Sequence, residues 1–277
     1  MGSNQVVLIT GASSGIGQAT AELLAARGFT VFGTSRAPDQ IARSYALLPL
    51  DVRSDASVEA AIQSVLDRAG RIDVLVNNAG YSQAGAIEET SIADVQAQFD
   101  TNLLGVIRMI KAVLPTMRQQ GHGRVINISS VVGHVAPPYL GVYASSKFAL
   151  EGLTEALCDE VRQFGIHVSL VEPAFVKTNI AGQQPADPIA DYTPTRRAAL
   201  QITSAGVASG MEPSVVARAI LRVATTARPQ LRYLVGRQAS LLILLKRLLP
   251  EPAFERVRRR VFGAEAPGLL QPQSQSR

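Results

Sequence analysis

Short apolar runs alternate with stretches of helical periodicity along this chain, and that alternation constrains its architecture more than any other feature. Gln5–Thr10 (QVVLIT), Thr30–Ser35, Ala46–Leu50, Ile72–Val76, Arg124–Ile128 and His167–Val171 read as strands, with Arg232–Val235 as a last one. They lack the in-out alternation of half-exposed strands, as expected for a sheet covered on both faces. Between them, helical spacing runs over Gly15–Arg27, from a Ser54 cap to Ala69, and from a Ser91 cap to Met117. It runs again over Tyr143–Phe164, Arg196–Ala208 and Pro213–Thr225. Pro115 is expected to disturb the helix opened by Ser91, because proline lacks the N–H the ladder needs. The pattern predicts an α/β protein: a single doubly wound parallel sheet (a Rossmann fold) with helices on both faces. Its crossovers should be right-handed, and its ligands should bind beyond the carboxyl ends of the strands.

The 277 residues, 47% hydrophobic and 18% charged, suit one large domain rather than a disordered chain. That domain is expected over residues 1–262. It includes a mobile lid at about 175–210, rich in Ala, Gln and Pro, and a C-terminal helical extension at about 236–262. Residues 263–277, rich in Gln, Ser and Pro, read as a disordered tail. Cys158 is the single cysteine, so an internal disulfide and a Cys/His metal cluster are excluded. No metal is expected. One cysteine, no secretory leader in Met1–Gln5 and no apolar run near the roughly 20 residues of a membrane span together suggest a cytoplasmic protein. The net charge is +5, yet Arg228–Phe262 alone carries nine Lys or Arg against two Asp or Glu. The rest of the chain is mildly acidic, which argues against nucleic acid as a partner.

The first strand runs directly into Thr10-Gly11-Ala12-Ser13-Ser14-Gly15-Ile16-Gly17, followed at once by a helix. Glycines spaced this way permit a tight turn and close backbone approach, and the helix offers unpaired N–H groups to a pyrophosphate. An ordinary glycine turn is the competing interpretation; the position between first strand and helix favours a dinucleotide site. The second strand ends at Ser35-Arg36 with no acid at Thr34, Ser35 or Arg36. An acid there would bind the ribose hydroxyls of NAD, whereas an arginine accommodates the 2′-phosphate of NADP. NADP(H) is therefore the expected cofactor, and Asp39, beyond Pro38, reads as a solvated turn residue.

Further motifs follow in order: Asp51-Val52, Asn77-Asn78-Ala79-Gly80, Asn102-Leu103-Leu104-Gly105, Ser129-Ser130, Tyr143-Ala144-Ser145-Ser146-Lys147 and Glu172-Pro173-Ala174. With the glycine turn they resemble the short-chain dehydrogenase/reductase family over roughly Gln5 to Val235. Tyr143 and Lys147, four apart on a predicted helix, share one face. A phenol with a pKa of about 10 is a poor base near neutrality, and an adjacent ammonium is expected to lower it. The resemblance implies that Tyr143 exchanges the proton, that Lys147 tunes it and binds the nicotinamide ribose, that Ser130 polarises the carbonyl, and that Asn102 holds a relay water. It also implies cofactor contacts from Gly11, Ser13, Ser14, Gly15, Ile16, Gly17, Arg36, Asp51, Val52, Asn78, Ala79, Gly80, Pro173, Val176 and Thr178. Ser129 is the competitor of Ser130 and is assigned backbone and cofactor contacts.

Two departures bear on function. Ala174 stands where the family usually has glycine. About forty residues follow Arg232–Val235, where many tetrameric members end; that ending, with Tyr143–Gly152, looks closer to the steroid- and retinol-dehydrogenase-like branch. Gly80–Ala86, His134–Tyr139 and Phe175–Ala208 are the candidate substrate-lining segments, and Val135–Tyr139 with Phe175 suggest an apolar pocket. His134, His122 and His167 read as packing or surface residues. The resemblance also implies a homodimer through the helices containing Ser91–Met117 and Tyr143–Phe164, with Phe148, Leu150, Leu153 and Leu157 offered to the interface or the core. In the extension, Leu241–Leu245 and Leu248-Leu249 beside Lys246-Arg247 and Arg258–Arg260 suit either packing on the domain, the favoured alternative, or weak peripheral contact with anionic membrane. The expected activity is hydride transfer between NADP(H) and a small apolar alcohol or carbonyl compound. The alternatives are a 3-oxoacyl-carrier-protein reductase, a sugar-nucleotide epimerase, which usually has a larger C-terminal domain, and a non-catalytic NADP sensor, which typically lacks the tyrosine.

Overall fold

A computed structural model describes residues 5–38, 41–178 and 182–262. Asp39, expected in a turn, and the 263–277 tail, expected to be disordered, lie outside the described residues. In chain order the strands are β1 (Val6–Ile9), β2 (Thr30–Ser35), β3 (Ala46–Pro49), β4 (Val74–Asn77), β5 (Ser82–Gln83), β6 (Gly123–Ile128), β7 (Ile166–Pro173), β8 (Gly182–Gln183) and β9 (Arg232–Val235). Seven of them form one parallel sheet in the order β3-β2-β1-β4-β6-β7-β9, while β5 and β8 pair separately. The chain builds outward from β1 to β3 and then returns to the other side of β1. The reversal opens a crevice between β1 and β4, where doubly wound sheets bind ligands.

The helices are α1 (Gly15–Ala26), α2 (Asp55–Ala69), α3 (Ile92–Phe99), α4 (Gly105–Gln120), α5 (Gly141–Val161), α6 (Thr193–Ala208), α7 (Pro213–Thr225), α8 (Arg237–Leu248) and α9 (Glu251–Val261). Ser54 and Ser91 cap α2 and α3 as the sequence predicts, each accepting from a backbone N–H three residues on. One face of the sheet is covered by α2, α4 and α5 through Ile62, Val65, Met109, Val113, Leu150 and Leu157. The other is covered by α1 and α7 through Ala21, Leu24, Val216, Ile220 and Val223.

The long helix after Ser91 is interrupted, but not where the sequence suggests. Pro115 sits inside α4, which continues to Gln120. The break lies earlier, at Asp100–Leu104, which winds as a π-helical turn between α3 and α4. Its cause is Asn102, whose buried side chain is tied sideways to Tyr81 and Ser146. Wide turns of this kind are frequent at functional sites. The β5–β8 pair was not foreseen from sequence either; two residues carry too little periodicity to read.

The extension forms two helices, α8 and α9. Leu242, Ile243, Phe254 and Phe262 bury themselves around Val135, which is the packing alternative for these leucines. Leu241, Leu244 and Leu248 remain exposed along one side of α8. Among the described residues, no helix is long and apolar enough to cross a membrane.

Candidate active site

The glycine turn follows β1 and is locked to β4. The Thr10 hydroxyl accepts from the N–H groups of Asn78 and Ala79, both at 2.9 Å, and Asn78 Nδ2 donates to the carbonyls of Thr10 and Gly11. Gly11 has φ +66°, which favours glycine, and a Cβ on Gly17 would stand 2.2 Å from the Gly11 oxygen. At the start of α1, Ser14 is extended and forms no side-chain cap, and the first turn holds no acid. The leading N–H groups of α1 are therefore free to meet an anion. Thr178 closes the far side, where a Cβ on Gly15 would lie 3.3 Å from its Cγ2. Residues separated by up to 167 positions thus frame one cradle that suits a pyrophosphate, and Gly11, Gly15, Gly17, Asn78, Ala79 and Thr178 all belong to it.

Arg36 is exposed just past the end of β2. Asp51 is gripped by Arg53, with Nη2 to Oδ2 at 2.7 Å. That hydrogen bond holds the carboxyl down to about 2, with a smaller contribution from Arg36. Arg53 was not singled out from sequence, because one arginine after an Asp-Val pair carries no distinctive spacing. Gly80 is packed against Asn102, 3.1 Å from where its Cβ would be.

The catalytic candidates converge at the carboxyl ends of β6 and β7. Ser130 follows β6 directly; its hydroxyl donates toward the Pro173 carbonyl at 3.4 Å and accepts from Val132 N–H at 3.3 Å. It also lies near enough to Tyr143 to pull the phenol's pKa down in part. Tyr143 and Lys147 share a face of α5, and Lys147 Nζ sits 5.9 Å from the centre of the Tyr143 ring. Lys147 donates to the Ile128 carbonyl at 2.8 Å. Asn102 spends its side chain on structure: Oδ1 accepts from Tyr81 N–H at 3.2 Å, and Nδ2 donates to the Tyr81 carbonyl and to Ser146 Oγ. It positions α5 against the loop after β4.

The protonation balance differs from the one expected. Burial pushes Tyr143 up to about 12, and Lys147 is not among the groups that lower it. Burial pulls Lys147 down to about 8, opposed by the charge of Glu151. The ammonium lies 5.9 Å from the ring centre and donates to the Ile128 carbonyl, and desolvation wins over its field.

The three candidate substrate segments do meet. Gly85 N–H donates to the Tyr139 carbonyl at 2.8 Å, and Ala84 N–H to that of Gln183 at 2.7 Å. The buried Arg196 of α6 pairs with buried Glu89, and Tyr139 bonds Thr195. His134 is turned away from this space, with Nε2 3.0 Å from Glu172. Ser129 is buried next to Glu151 rather than toward the cradle. Of the four residues offered for dimerisation or core, Leu150 and Leu157 are core and Phe148 is exposed.

A parallel doubly wound sheet with a glycine turn at its switch point, and Ser130, Tyr143 and Lys147 gathered at the carboxyl end of β6, is the arrangement expected of nicotinamide-dependent oxidoreductases. The short chain dehydrogenase family model matches residues 5–188. The 3-ketodihydrosphingosine reductase of Bacteroides thetaiotaomicron is 39% identical over 84% of this chain and 88% of its own. Retinol dehydrogenase 8 of Bos taurus is 36% identical over 89% of this chain and 86% of its own. The crystal structure of a short-chain dehydrogenase/reductase from Burkholderia phymatum in complex with NAD superimposes with a TM-score of 0.78 at 28% identity, covering 92% of this chain and 95% of that one. The chain belongs to the short-chain dehydrogenase/reductase family. It is an oxidoreductase acting on alcohol or keto groups with a nicotinamide dinucleotide.

Proposed function

We propose that the enzyme interconverts ketones or aldehydes and alcohols on small apolar, lipid-like substrates, using NADP(H), with Tyr143 as the acid and base. The observation that carries this is the convergence of Ser130, Tyr143 and Lys147 beside the glycine cradle. The bound cofactor supplies or accepts the hydride. Ser130 Oγ donates a hydrogen bond to the substrate oxygen and stabilises its developing charge. Tyr143, held near 12, stays protonated at neutral pH and delivers its proton to that oxygen in reduction. Lys147 carries its charge below about pH 8 and then loses it. Reduction is therefore favoured near neutrality, and alcohol oxidation gains as pH rises because it releases a proton. The apolar substrate class is supported by Pro137 and Pro138 on the loop after β6, and by relatives named for a ketosphingoid and a retinoid. A steady-state screen of apolar ketones and alcohols with both cofactors tests the assignment.

NADP(H) preference follows from Arg36 at the end of β2 and the absence of an acid beside it. A guanidinium–phosphate pair is bidentate and strong, so Arg36→Asp should lower kcat/KM for NADPH roughly tenfold or more and favour NADH. Comparable turnover of NADH and NADPH by the unaltered enzyme would refute the preference.

The proposed assembly is a homodimer through α4 and α5, near exposed Leu104 and Phe148. Cys158 as the single cysteine fits a reducing, cytoplasmic setting. The extension is also proposed to touch anionic membrane weakly, because Leu241, Leu244 and Leu248 are 57%, 51% and 70% exposed beside a strongly basic α9. In vesicle co-sedimentation, the full chain should bind phosphatidylserine vesicles at low salt and release at high salt. Replacing all three leucines by serine should reduce binding several-fold; equal sedimentation of both proteins would exclude the contact.

A further inference from the structure

One turn beyond Lys147 on α5 stands Glu151, and it is buried. The four-residue spacing stacks the two side chains on one helix face. A carboxylate removed from water must be compensated by partners, and those of Glu151 come from β9 and from the loop after β6. Arg232 of β9 places Nε 3.1 Å from Glu151 Oε2 and 3.6 Å from Oε1 of Glu172, which is buried near the end of β7. Its Nη2 reaches Glu155 on the exposed side of α5 at 3.0 Å. His134, on the loop after β6, lies 3.7 Å from Glu151 and 3.0 Å from Glu172. The turn after β6 closes over the group, so that a Cβ on Gly133 would stand 3.1 Å from Glu151 Cγ.

Glu151 Oε1 and Glu172 Oε1 have no hydrogen-bond partner despite their burial. His134, Glu151 and Glu172 bring one donor atom each within 4.8 Å of one another. Because the guanidinium already lies against both carboxylates, the group is an ion-paired cluster rather than an open cation cradle. Part of its negative charge is left to act on Lys147.

We propose that Glu151 is a positioning residue for this reaction: anchored by Arg232 and backed by His134 and Glu172, its carboxylate holds Lys147 as an ammonium against Tyr143. The role rests on the assignment of Tyr143 and Lys147 to proton transfer. Among the described residues, the only hydrogen-bond partner of Lys147 Nζ is the neutral Ile128 carbonyl. Burial draws the lysine down to about 8, and Glu151 is the charge that opposes burial. Burial in turn pushes Glu151 up; Ser129, His134 and Arg232 resist and Glu172 adds to it. The ammonium is present below about pH 8 and lost above it, so removing the Glu151 charge moves that loss downward into the working range.

The chain has four lysines, Lys111, Lys147, Lys177 and Lys246, few enough to follow by NMR. In cofactor-free, 13C-lysine-labelled full-length protein, the Lys147 resonance is assigned by its loss in Lys147→Met. Glu151→Gln should lower the Lys147 midpoint by about one pH unit, a tenfold loss of proton affinity. Glu160→Gln, exposed on the same helix, should leave it in place. The alkaline limb of kcat/KM for ketone reduction should move down with it while the plateau at lower pH holds, and Glu151→Asp should fall between. An unchanged Lys147 midpoint in Glu151→Gln would overturn the proposal. If that variant shows no cooperative melt, Glu151→Asp takes its place, with a smaller downward shift expected and an unchanged midpoint again decisive. Near-normal turnover in Lys147→Met would instead refute the proton-transfer assignment, a result separable from the midpoint.

Discussion

Replacing Tyr143 by phenylalanine should lower kcat for ketone reduction about a thousandfold while leaving cofactor affinity within a few-fold, since positioned general-acid catalysis typically contributes 10²–10⁴. The change removes one oxygen and keeps the ring, so the apolar contacts of α5 and the approach of Lys147 over the ring, 5.9 Å from its centre, survive. What disappears is the group proposed to give a proton to the substrate oxygen beside Ser130. That loss is felt at the transition state rather than in binding, and kcat should fall with little change in KM. The fold should not suffer. The phenol pays a desolvation cost, visible in its rise to about 12, and the deletion relieves it. A melting temperature equal to or slightly above that of the unaltered protein, together with lost turnover, separates chemistry from folding. Turnover near the original level would remove Tyr143 from the reaction.

The sheet was legible because buried strands and amphipathic helices differ in period, and each of the seven long strands carries enough residues to show it. Their ends were less so: the strand placed at Ile72–Val76 runs over Val74–Asn77, because Asp73 is buried and bonded to Val6 and Arg71 while the ladder starts one residue later. The break at Asp100–Leu104 could not be read, because it is caused by a side chain reaching Tyr81 and Ser146, contacts distant in sequence. The same limit applies to Lys147. Spacing alone put an ammonium near a phenol, but only the folded surroundings decide that burial outweighs it. Glu151 went unnoticed because one glutamate on a long helix looks like a solvated position, and its burial depends on Arg232, Glu172 and His134 arriving from three other segments.

The cradle offers the second large effect. Gly17→Ala should weaken NADPH binding by about a hundredfold, because a displacement near 1 Å at a positioning element is enough for a loss of that order. The added Cβ would sit 2.2 Å from the Gly11 carbonyl oxygen, 2.9 Å from its carbon and 2.6 Å from Asn78 Nδ2. Two of these atoms are backbone of the turn itself, and the third belongs to the side chain that ties the turn to β4. None is the loose end of a flexible chain, so α1 must move away from the crevice, carrying its free N–H groups with it. Overpacking of this kind typically costs about 1–3 kcal/mol of stability as well. Gly152→Ala provides the contrast: it lies on α5 with nothing within 4 Å of a new Cβ, and replacing a helical glycine should stabilise by roughly 0.5–1 kcal/mol. Calorimetric titration of both variants with NADPH, beside thermal melts, reads the two effects separately. Unaltered affinity in a folded Gly17→Ala variant would mean that the pyrophosphate does not rest on the start of α1.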